Sequence, residues 1–219
     1  MTSYSRIRNT LHDKYNQEEW FDTILPYLTG NYVAIEDRMI GSFRYVQCHP
    51  LNYDAFSYEY ASILRDTGSV FGSVMDRLLD VTKFPKTKSD YDMGDYRRWL
   101  IGEIKDIQLV TVRVFHPINF LLIPFEDIRD ENRRLGWWAA YNNLKHSDIE
   151  SFTDGNLGNS LNGLAAVAVL YAAFDPSNGS AIRLFSDIGF IDPPISARFE
   201  EECRCEHLSE LYSERAEKL

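Results

Sequence analysis

The residues best suited to chemistry lie in one short run, Tyr141-Asn-Asn-Leu-Lys-His146. On a helix, Asn142 and His146 lie one turn apart on the same face, as do Tyr141 and Lys145. A neutral imidazole donates and accepts hydrogen bonds and titrates near physiological pH. Beside a lysine charge, it can polarise a phosphodiester or orient a 2′-hydroxyl for attack. The run predicts an anion-binding or catalytic site, with His146, Lys145 and Asn142 as catalytic candidates and Tyr141 and Asn143 as ligand contacts.

A second polar feature follows at the start of the next apolar segment. Asn156, Asn159 and Asn162 are spaced by three, so on a helix they form a slanted polar row. Asparagine is an unfavourable residue inside a helix, so three of them need a reason. In an antiparallel hairpin the row would lie near Asn142 and His146, and Asn156 and Asn159 would then be further ligand contacts.

Both features also have a structural interpretation. A lysine and a histidine in the last turn of a helix bond its terminal carbonyls and favour its dipole. Likewise, the asparagine row can cap and cross-link the hairpin. The sequence leaves the two interpretations open.

The elements that must position these residues are mostly helices. Apolar side chains recur at helical spacing in four segments. We predict helices over 54–81, 96–115, the segment that carries Trp137 to Leu144, and 155–174. Asn52 or Asp54 is expected to cap the first, and Thr153 or Asp154 the last. Residues 30–53 are predicted to be irregular, with a short extended piece at 43–46, and residues 182–194 to be a loop with short pieces.

The predicted fold is mainly α: a helical bundle of four or more core helices. Residues 1–53 form an N-terminal helical and irregular extension, residues 54–176 the bundle core, and residues 177–219 a C-terminal loop and charged helix. The stretch 196–219 is rich in glutamate with few apolar residues. We therefore expect a peripheral C-terminal helix that docks a protein partner.

Composition narrows the function classes. The formal net charge of −10 over 219 residues opposes loose, salt-dependent binding to a phosphate backbone, although it leaves room for a small positive site. The longest apolar stretch, Leu161–Phe174, is too short to span a bilayer and is typical of a buried helix. The N-terminal residues contain no apolar run typical of a signal peptide. We therefore expect a cytoplasmic protein with reduced thiols that does not contact membranes.

Motifs for cofactors are weak or missing. The sequence has no phosphate-binding loop, dinucleotide fingerprint, hydrolase elbow or zincin motif. Cys203, Cys205 and His207 resemble a metal cluster, but positions two apart do not share one face of a helix. His116 precedes a proline and is most simply a helix cap. We expect neither metal nor cofactor.

The run from Trp137-Trp138 to Lys145-His146, followed by an Asn-rich start to an apolar helix, resembles a group of bacterial proteins similar to the HEPN superfamily. The resemblance covers 54–174. It implies a small helical bundle that forms a dimer. Active HEPN proteins are metal-independent ribonucleases of toxin–antitoxin, abortive-infection or other defence systems. Their motif, on the third helix, is an Arg, often with a polar residue after it, separated from a His by four to six residues. His146 takes the His position and Asn142 the polar position.

One motif position differs. The Arg would fall at 139–141, where the residues are Ala, Ala and Tyr. Arg133 and Arg134 lie too far upstream, and Lys145 does not replace a planar guanidinium without loss. Two functions therefore stay open: a HEPN-like protein of a bacterial defence or stress system that binds or cleaves RNA, and a non-catalytic interaction or scaffold module. An enzyme acting on a small anion is a third.

Overall fold

The computed structural model describes residues 11–16, 18–86, 88–114, 119–146, 149–174 and 182–190. Within them the chain is mainly α-helical, as predicted, with a small sheet. The helices are α1 (His12–Tyr15), α2 (Phe21–Ser42), α3 (Tyr58–Val81), α4 (Met93–Glu103), α5 (Gly136–His146) and α6 (Leu157–Phe174). The strands are β1 (Val110–Val114), β2 (Phe120–Leu122) and β3 (Phe185–Phe190). The predicted C-terminal helix at 196–219 lies outside the described residues.

Helix α6 lies at the centre of the core. It contacts α2, α3 and α5, and every residue from Gly163 to Phe174 is buried. By length and composition α6 is apolar enough to cross a membrane, but 89% of it is buried inside the protein. This confirms the predicted buried helix, because a helix that is apolar all round must be covered on every side.

Helix α3 carries the apolar stripe expected of it and packs against α2, α5 and α6. The predicted start and cap are wrong. The helix begins at Tyr58, and the Ser57 hydroxyl accepts a hydrogen bond from the backbone N–H of Tyr60 at 3.1 Å. Asn52 belongs instead to a short 3₁₀ turn.

The predicted irregular segment 30–53 is wrong over 30–42, where α2 continues through Gly30 and Gly41. Each interior glycine costs about 1 kcal/mol in a helix. Burial of Leu28, Tyr32 and Met39 on one face offsets that cost. Residues 43–46 form turns rather than an extended piece.

The predicted long helix 96–115 is also wrong beyond Glu103. Helix α4 ends there, and Asp106 adopts a left-handed conformation (φ 59°) that turns the chain away. The following Val-Thr-Val-Arg-Val run is rich in β-branched residues, which favour a strand. It forms β1, the middle strand of an antiparallel sheet of order β2-β1-β3. Strand β3 occupies part of the segment predicted to be a loop.

A buried carboxylate attaches β3 to the helices. Glu36 of α2 is fully buried, and its Oε1 accepts hydrogen bonds from the backbone N–H groups of Arg183 (2.9 Å) and Leu184 (2.8 Å) and from the Tyr32 hydroxyl (2.8 Å). Its Oε2 accepts from Arg183 Nε at 3.2 Å. Every part of this carboxylate is therefore bonded, as a buried charge requires.

Candidate functional site

Helix α5 presents the predicted site residues as the sequence spacing suggests. Lys145 and His146 are exposed in its last turn. Asn142 Nδ2 donates to the Trp138 carbonyl at 2.9 Å, and Asn143 Nδ2 donates to Asp154 Oδ2 at 2.8 Å. The Asn142 amide therefore bonds within α5, and the Asn143 amide ties α5 to the turn before α6. Lys145 and His146 face outward.

A cleft of about 830 Å³ runs between α3 and α5 and contains most of the predicted site. Its volume is in the range of small-molecule and cofactor sites. The lining residues are Ser69, Gly72, Ser73 and Asp76 of α3; Tyr91 and Asp92 before α4; Met93, Gly94, Tyr96 and Arg97 of α4; Glu131, Arg133, Arg134 and Leu135 before α5; and Trp138, Ala139, Tyr141, Asn142, Lys145 and His146 of α5.

Two glycines of α3 let the aromatic residues of α5 reach the bottom of the cleft. A Cβ on Gly68 would lie 2.7 Å from Tyr141 Cε2, and one on Gly72 would lie 3.6 Å from Trp138 Cη2. Gly68 lies against Tyr141, and Gly72, one turn later in α3, lies against Trp138, one turn earlier in α5. The two helices therefore run antiparallel. The ring of Tyr141 rests directly on the backbone of α3.

The floor of the cleft is aromatic. Phe71 contacts Tyr96, Trp137 and Trp138 edge-on, and Trp138 in turn contacts Tyr141 with ring centroids 5.0 Å apart. Such offset and edge-to-face pairs are the favourable arrangements of aromatic rings. The Trp-Trp pair in the sequence therefore builds the floor, and only Trp138 reaches the cleft.

Two tyrosines at the floor stay neutral. The Tyr96 hydroxyl donates to Asp76 Oδ1 at 2.5 Å, and burial together with this bond raises the pKa of Tyr96 far above its usual value. Burial also raises the pKa of Tyr141. Neither phenol is therefore a general base at neutral pH.

Arginines from a neighbouring loop join the cleft, which the sequence did not predict. Arg97 donates to the carbonyls of Asp130 (2.9 Å) and Arg133 (2.8 Å), so α4 holds this loop in place. Arg133 pairs with Asp127 (3.1 Å) and Asp130 (3.5 Å). Arg134 is exposed and has no hydrogen-bond or ion-pair partner among the described residues. Arg133 and Arg134, judged too far upstream in the sequence, thus line the cleft with His146.

The local charge differs from that of the whole chain. Four arginine and lysine residues line the cleft against three aspartate and glutamate residues, whereas the chain carries −10. Two of the acids already have partners: Asp76 accepts from Tyr96, and Asp92 pairs with Lys88 at 2.6 Å. Arg133 is paired in turn with Asp127 and Asp130, so the cleft is much less acidic than the chain as a whole, and Arg134 and Lys145 are the cations in it that suit an anion.

The asparagine row does not form a second wall of the cleft. Asn156 stands before α6, and its Oδ1 accepts from the backbone N–H of Asn159 at 2.9 Å, as an N-cap does. The side chains of Asn156, Asn159 and Asn162 donate to the carbonyls of Thr153, Asp154 and Gly158. The row caps and braces the turn into α6, and the predicted caps Thr153 and Asp154 lie in a 3₁₀ turn before it. The second wall is α3 instead.

Among the described residues, no group of three or more His, Cys, Asp or Glu side chains is placed to hold a metal ion. His116, Cys203, Cys205 and His207 lie outside those residues. Cys48 is buried, which raises the pKa of its thiol to about 12.

Sequence reasoning missed the α3 wall and the loop arginines. Ser69, Ser73 and Asp76 follow one another at helical spacing, which alone resembles an ordinary solvent-facing stripe. The signal that marks the stripe is Gly68 and Gly72 interleaved with it, because glycines inside a helix suggest close approach of another element.

No family model, curated protein or solved structure matches the chain. The interpretation of the site therefore depends on its own geometry.

Proposed function

We propose that the cleft between α3 and α5 binds single-stranded RNA, with Lys145 and His146 on the phosphate backbone. The observation that supports this is the meeting of Lys145 and His146 with arginines from a separate loop in a chain of net charge −10. Phosphate contacts supply most of the affinity in such complexes, and aromatic residues support the bases. We also propose, from the resemblance of the run Trp137 to His146, that the chain is HEPN-like. RNA binding agrees with that relationship.

His146 is the residue that can add chemistry to binding. In the proposed step it accepts the proton of a ribose 2′-hydroxyl as the 2′-oxygen attacks the adjacent phosphorus. The bond from phosphorus to the 5′-oxygen breaks, and that oxygen takes a proton from a water molecule, which regains one from the His146 imidazolium. The products are a 2′,3′-cyclic phosphate and a 5′-hydroxyl, and no metal takes part. Lys145 stabilises the charge that develops on the phosphate oxygens.

The test combines binding and cleavage on one labelled single-stranded RNA in the presence of EDTA. We expect wild type to bind it, Lys145→Ala to weaken binding at least fivefold, and His146→Ala to abolish cleavage while it weakens binding less than Lys145→Ala does. Lys105→Ala, an exposed lysine outside the cleft, is the matched control. Absence of RNA binding by wild type would refute the proposal. Binding with equal cleavage by wild type and His146→Ala would remove the catalytic role.

A second candidate is a non-catalytic interaction module that associates with a second copy of the chain. Its support is an aromatic patch beside the start of α3, formed by Phe56 and Tyr58, which are 52% and 83% exposed, and by the half-buried Phe152. The rings of Phe56 and Tyr58 lie 5.5 and 4.5 Å from that of Phe152. Exposed apolar clusters of this kind are typical of protein interfaces.

Sedimentation over a range of concentrations tests this candidate. We expect wild type to form a dimer, and the double variant Phe56→Ser/Tyr58→Ser to shift it toward monomer. Tyr45→Ser is the control, because Tyr45 is equally exposed but lies outside the patch. A wild type that stays monomeric, or a double variant that dimerises unchanged, would contradict this candidate.

A further inference from the structure

The cleft has two cationic ends rather than one. At one end, Arg134 stands just before α5; at the other, Lys145 and His146 stand in its last turn. Helix α5 begins at Gly136, so the residues from there to Lys145 rise about 14 Å along the axis. To contact one phosphate, the long side chains of Arg134 and Lys145 would both have to fold inward over the floor of the cleft, whereas each can reach a separate phosphate without doing so.

Arg134 is the guanidinium in this cleft that the fold leaves available. Arg97 uses both terminal nitrogens on the carbonyls of Asp130 and Arg133, and Arg133 is engaged by two aspartates. Within the described part of the chain, Arg134 makes no such bond. A planar guanidinium with free N–H groups is suited to bidentate contact with a phosphate.

The loop that carries Arg134 is held before any ligand arrives. The carbonyl that accepts from Arg97 Nη2 belongs to Arg133, the residue directly before Arg134. Arg97 therefore acts as a positioning residue for Arg134. Less ordering of the loop is then needed on binding, which favours affinity.

Between the two ends the cleft changes character. Trp138 and Tyr141 form an aromatic floor there, and Ser69, Ser73 and Asp76 line the opposite wall. Asp76 accepts a hydrogen bond from Tyr96 through one oxygen, so the second oxygen suits a hydroxyl or amino donor rather than another phosphate. A ligand that matches this order carries two phosphates with a ribose or base between them.

We propose that the cleft holds a single-stranded segment of at least two nucleotides, with one phosphate on Arg134 and a second on Lys145 and His146. This inference rests on the proposed RNA binding and adds the length of the bound segment and the role of Arg134. It also distinguishes a nucleic-acid strand from a mononucleotide or an inorganic polyphosphate.

Calorimetry on the full chain with four probes tests the proposal: uridine 5′-monophosphate, the 5′-phosphorylated dinucleotide pUpU, hexauridylate and tripolyphosphate. We expect pUpU to bind at least tenfold tighter than the mononucleotide and tripolyphosphate. Arg134→Ala and Lys145→Ala should each reduce this advantage to threefold or less. Arg44→Ala and Lys105→Ala, exposed cations outside the cleft, should leave it unchanged.

The salt dependence of binding to a long polyuridylate strand, which carries condensed counterions, counts the phosphate contacts. Each lost contact reduces the slope of log K against log salt by about 0.7 for a single strand. We expect Arg134→Ala and Lys145→Ala each to reduce this slope by about 0.7. Arg97→Lys should lower the affinity but reduce the slope by less than that.

The outcomes separate the two proposals. If hexauridylate binds but pUpU is no tighter than the mononucleotide, or if Arg134→Ala keeps the wild-type slope, the two-phosphate arrangement is wrong while RNA binding stands. If none of the oligonucleotides binds wild type, the proposed function fails and this inference fails with it.

Discussion

Two of the groups of charged side chains in this protein, one beside β3 and one in the α3–α5 cleft, differ in how their charges are partnered. Glu36 is fully buried, and both of its oxygens accept hydrogen bonds from Tyr32, Arg183 or the backbone beside it. In the cleft, Lys145 and Arg134 are exposed and have no carboxylate partner among the described residues. The charge that holds the fold has all of its hydrogen bonds, whereas these two charges in the cleft remain available, as the proposed binding of a ligand requires. The following changes test that distinction.

The largest effect should come from the site beside β3. Glu36→Ala leaves the Tyr32 hydroxyl and two backbone N–H groups without acceptors, so we expect a loss of roughly 3–5 kcal/mol in the free energy of unfolding. Urea denaturation measures it. Asp37→Ala is the matched control, because Asp37 is exposed and also pairs with Arg183; it should cost less than about 1 kcal/mol. Equal losses from both variants would contradict the view that burial makes the difference.

The cleft floor should be the next most sensitive feature. In Gly68→Ala the new methyl group would overlap Cγ and Cδ2 of Tyr141, so the Tyr141 ring must move away from α3. We expect a loss of about 1–3 kcal/mol in the free energy of unfolding and weaker RNA binding. Gly30→Ala, where nothing lies within 4 Å, should instead gain about 0.5–1 kcal/mol. Thermal denaturation of the pair checks this, and similar behaviour at both glycines would refute the close contact.

Each place also contains a buried phenol bonded to a carboxylate, Tyr32 to Glu36 and Tyr96 to Asp76. Burial is the main reason that the pKa of both phenols is raised. A raised pKa means that the folded state holds the proton more tightly, so stability is complete below pH 10 and falls as the pH rises above it. Each phenol contributes up to about 1.4 kcal/mol per pH unit to that slope.

We therefore expect Tyr32→Phe and Tyr96→Phe to flatten the alkaline decline equally, although only Tyr32 is fully buried. The measurement is urea denaturation of wild type and both variants between pH 9 and 11.5. A decline that only one variant flattens would show that the two phenols are not in comparable states.

The smallest effect on stability belongs to the two available charges of the cleft. Arg134→Ala and Lys145→Ala should each change the free energy of unfolding by less than about 0.5 kcal/mol, because exposed side chains without a hydrogen-bond or ion-pair partner among the described residues contribute little. Differential scanning calorimetry is sensitive enough to show this. A loss of 1 kcal/mol or more would mean that these side chains support the fold, and their availability to a ligand would then be in question.

The sequence predicted the helices that bury a continuous stripe and missed the elements whose burial depends on distant partners. The stripes of α3 and α6 are readable because apolar residues recur every three or four positions. The part of α2 from residue 30 onward was missed because glycines interrupt its pattern. Strand β1 was missed because Val110 and Val114 also continue the helical spacing of the stripe before them, although Val-Thr-Val-Arg-Val alternates as a strand does.

The same limit applies to the candidate site. Lys145 and His146 are close in sequence, so their spacing on a helix predicts their common exposure. Arg134 and Asp76 reach the cleft only because α4 holds the loop and α3 runs antiparallel to α5. The sequence around Arg134 and Asp76 has no pattern that predicts a contact with such a distant segment.

The burial of every residue of α6 from Gly163 to Phe174 has a consequence for how the protein opens. Its backbone N–H groups from Gly163 onward lie under α2, α3 and α5, so local fraying at the surface does not expose them. Their exchange with solvent deuterium should require unfolding of the whole bundle. The slowest of these protons would then report the global stability of the fold, while amides at the exposed end of α5 exchange through small local openings.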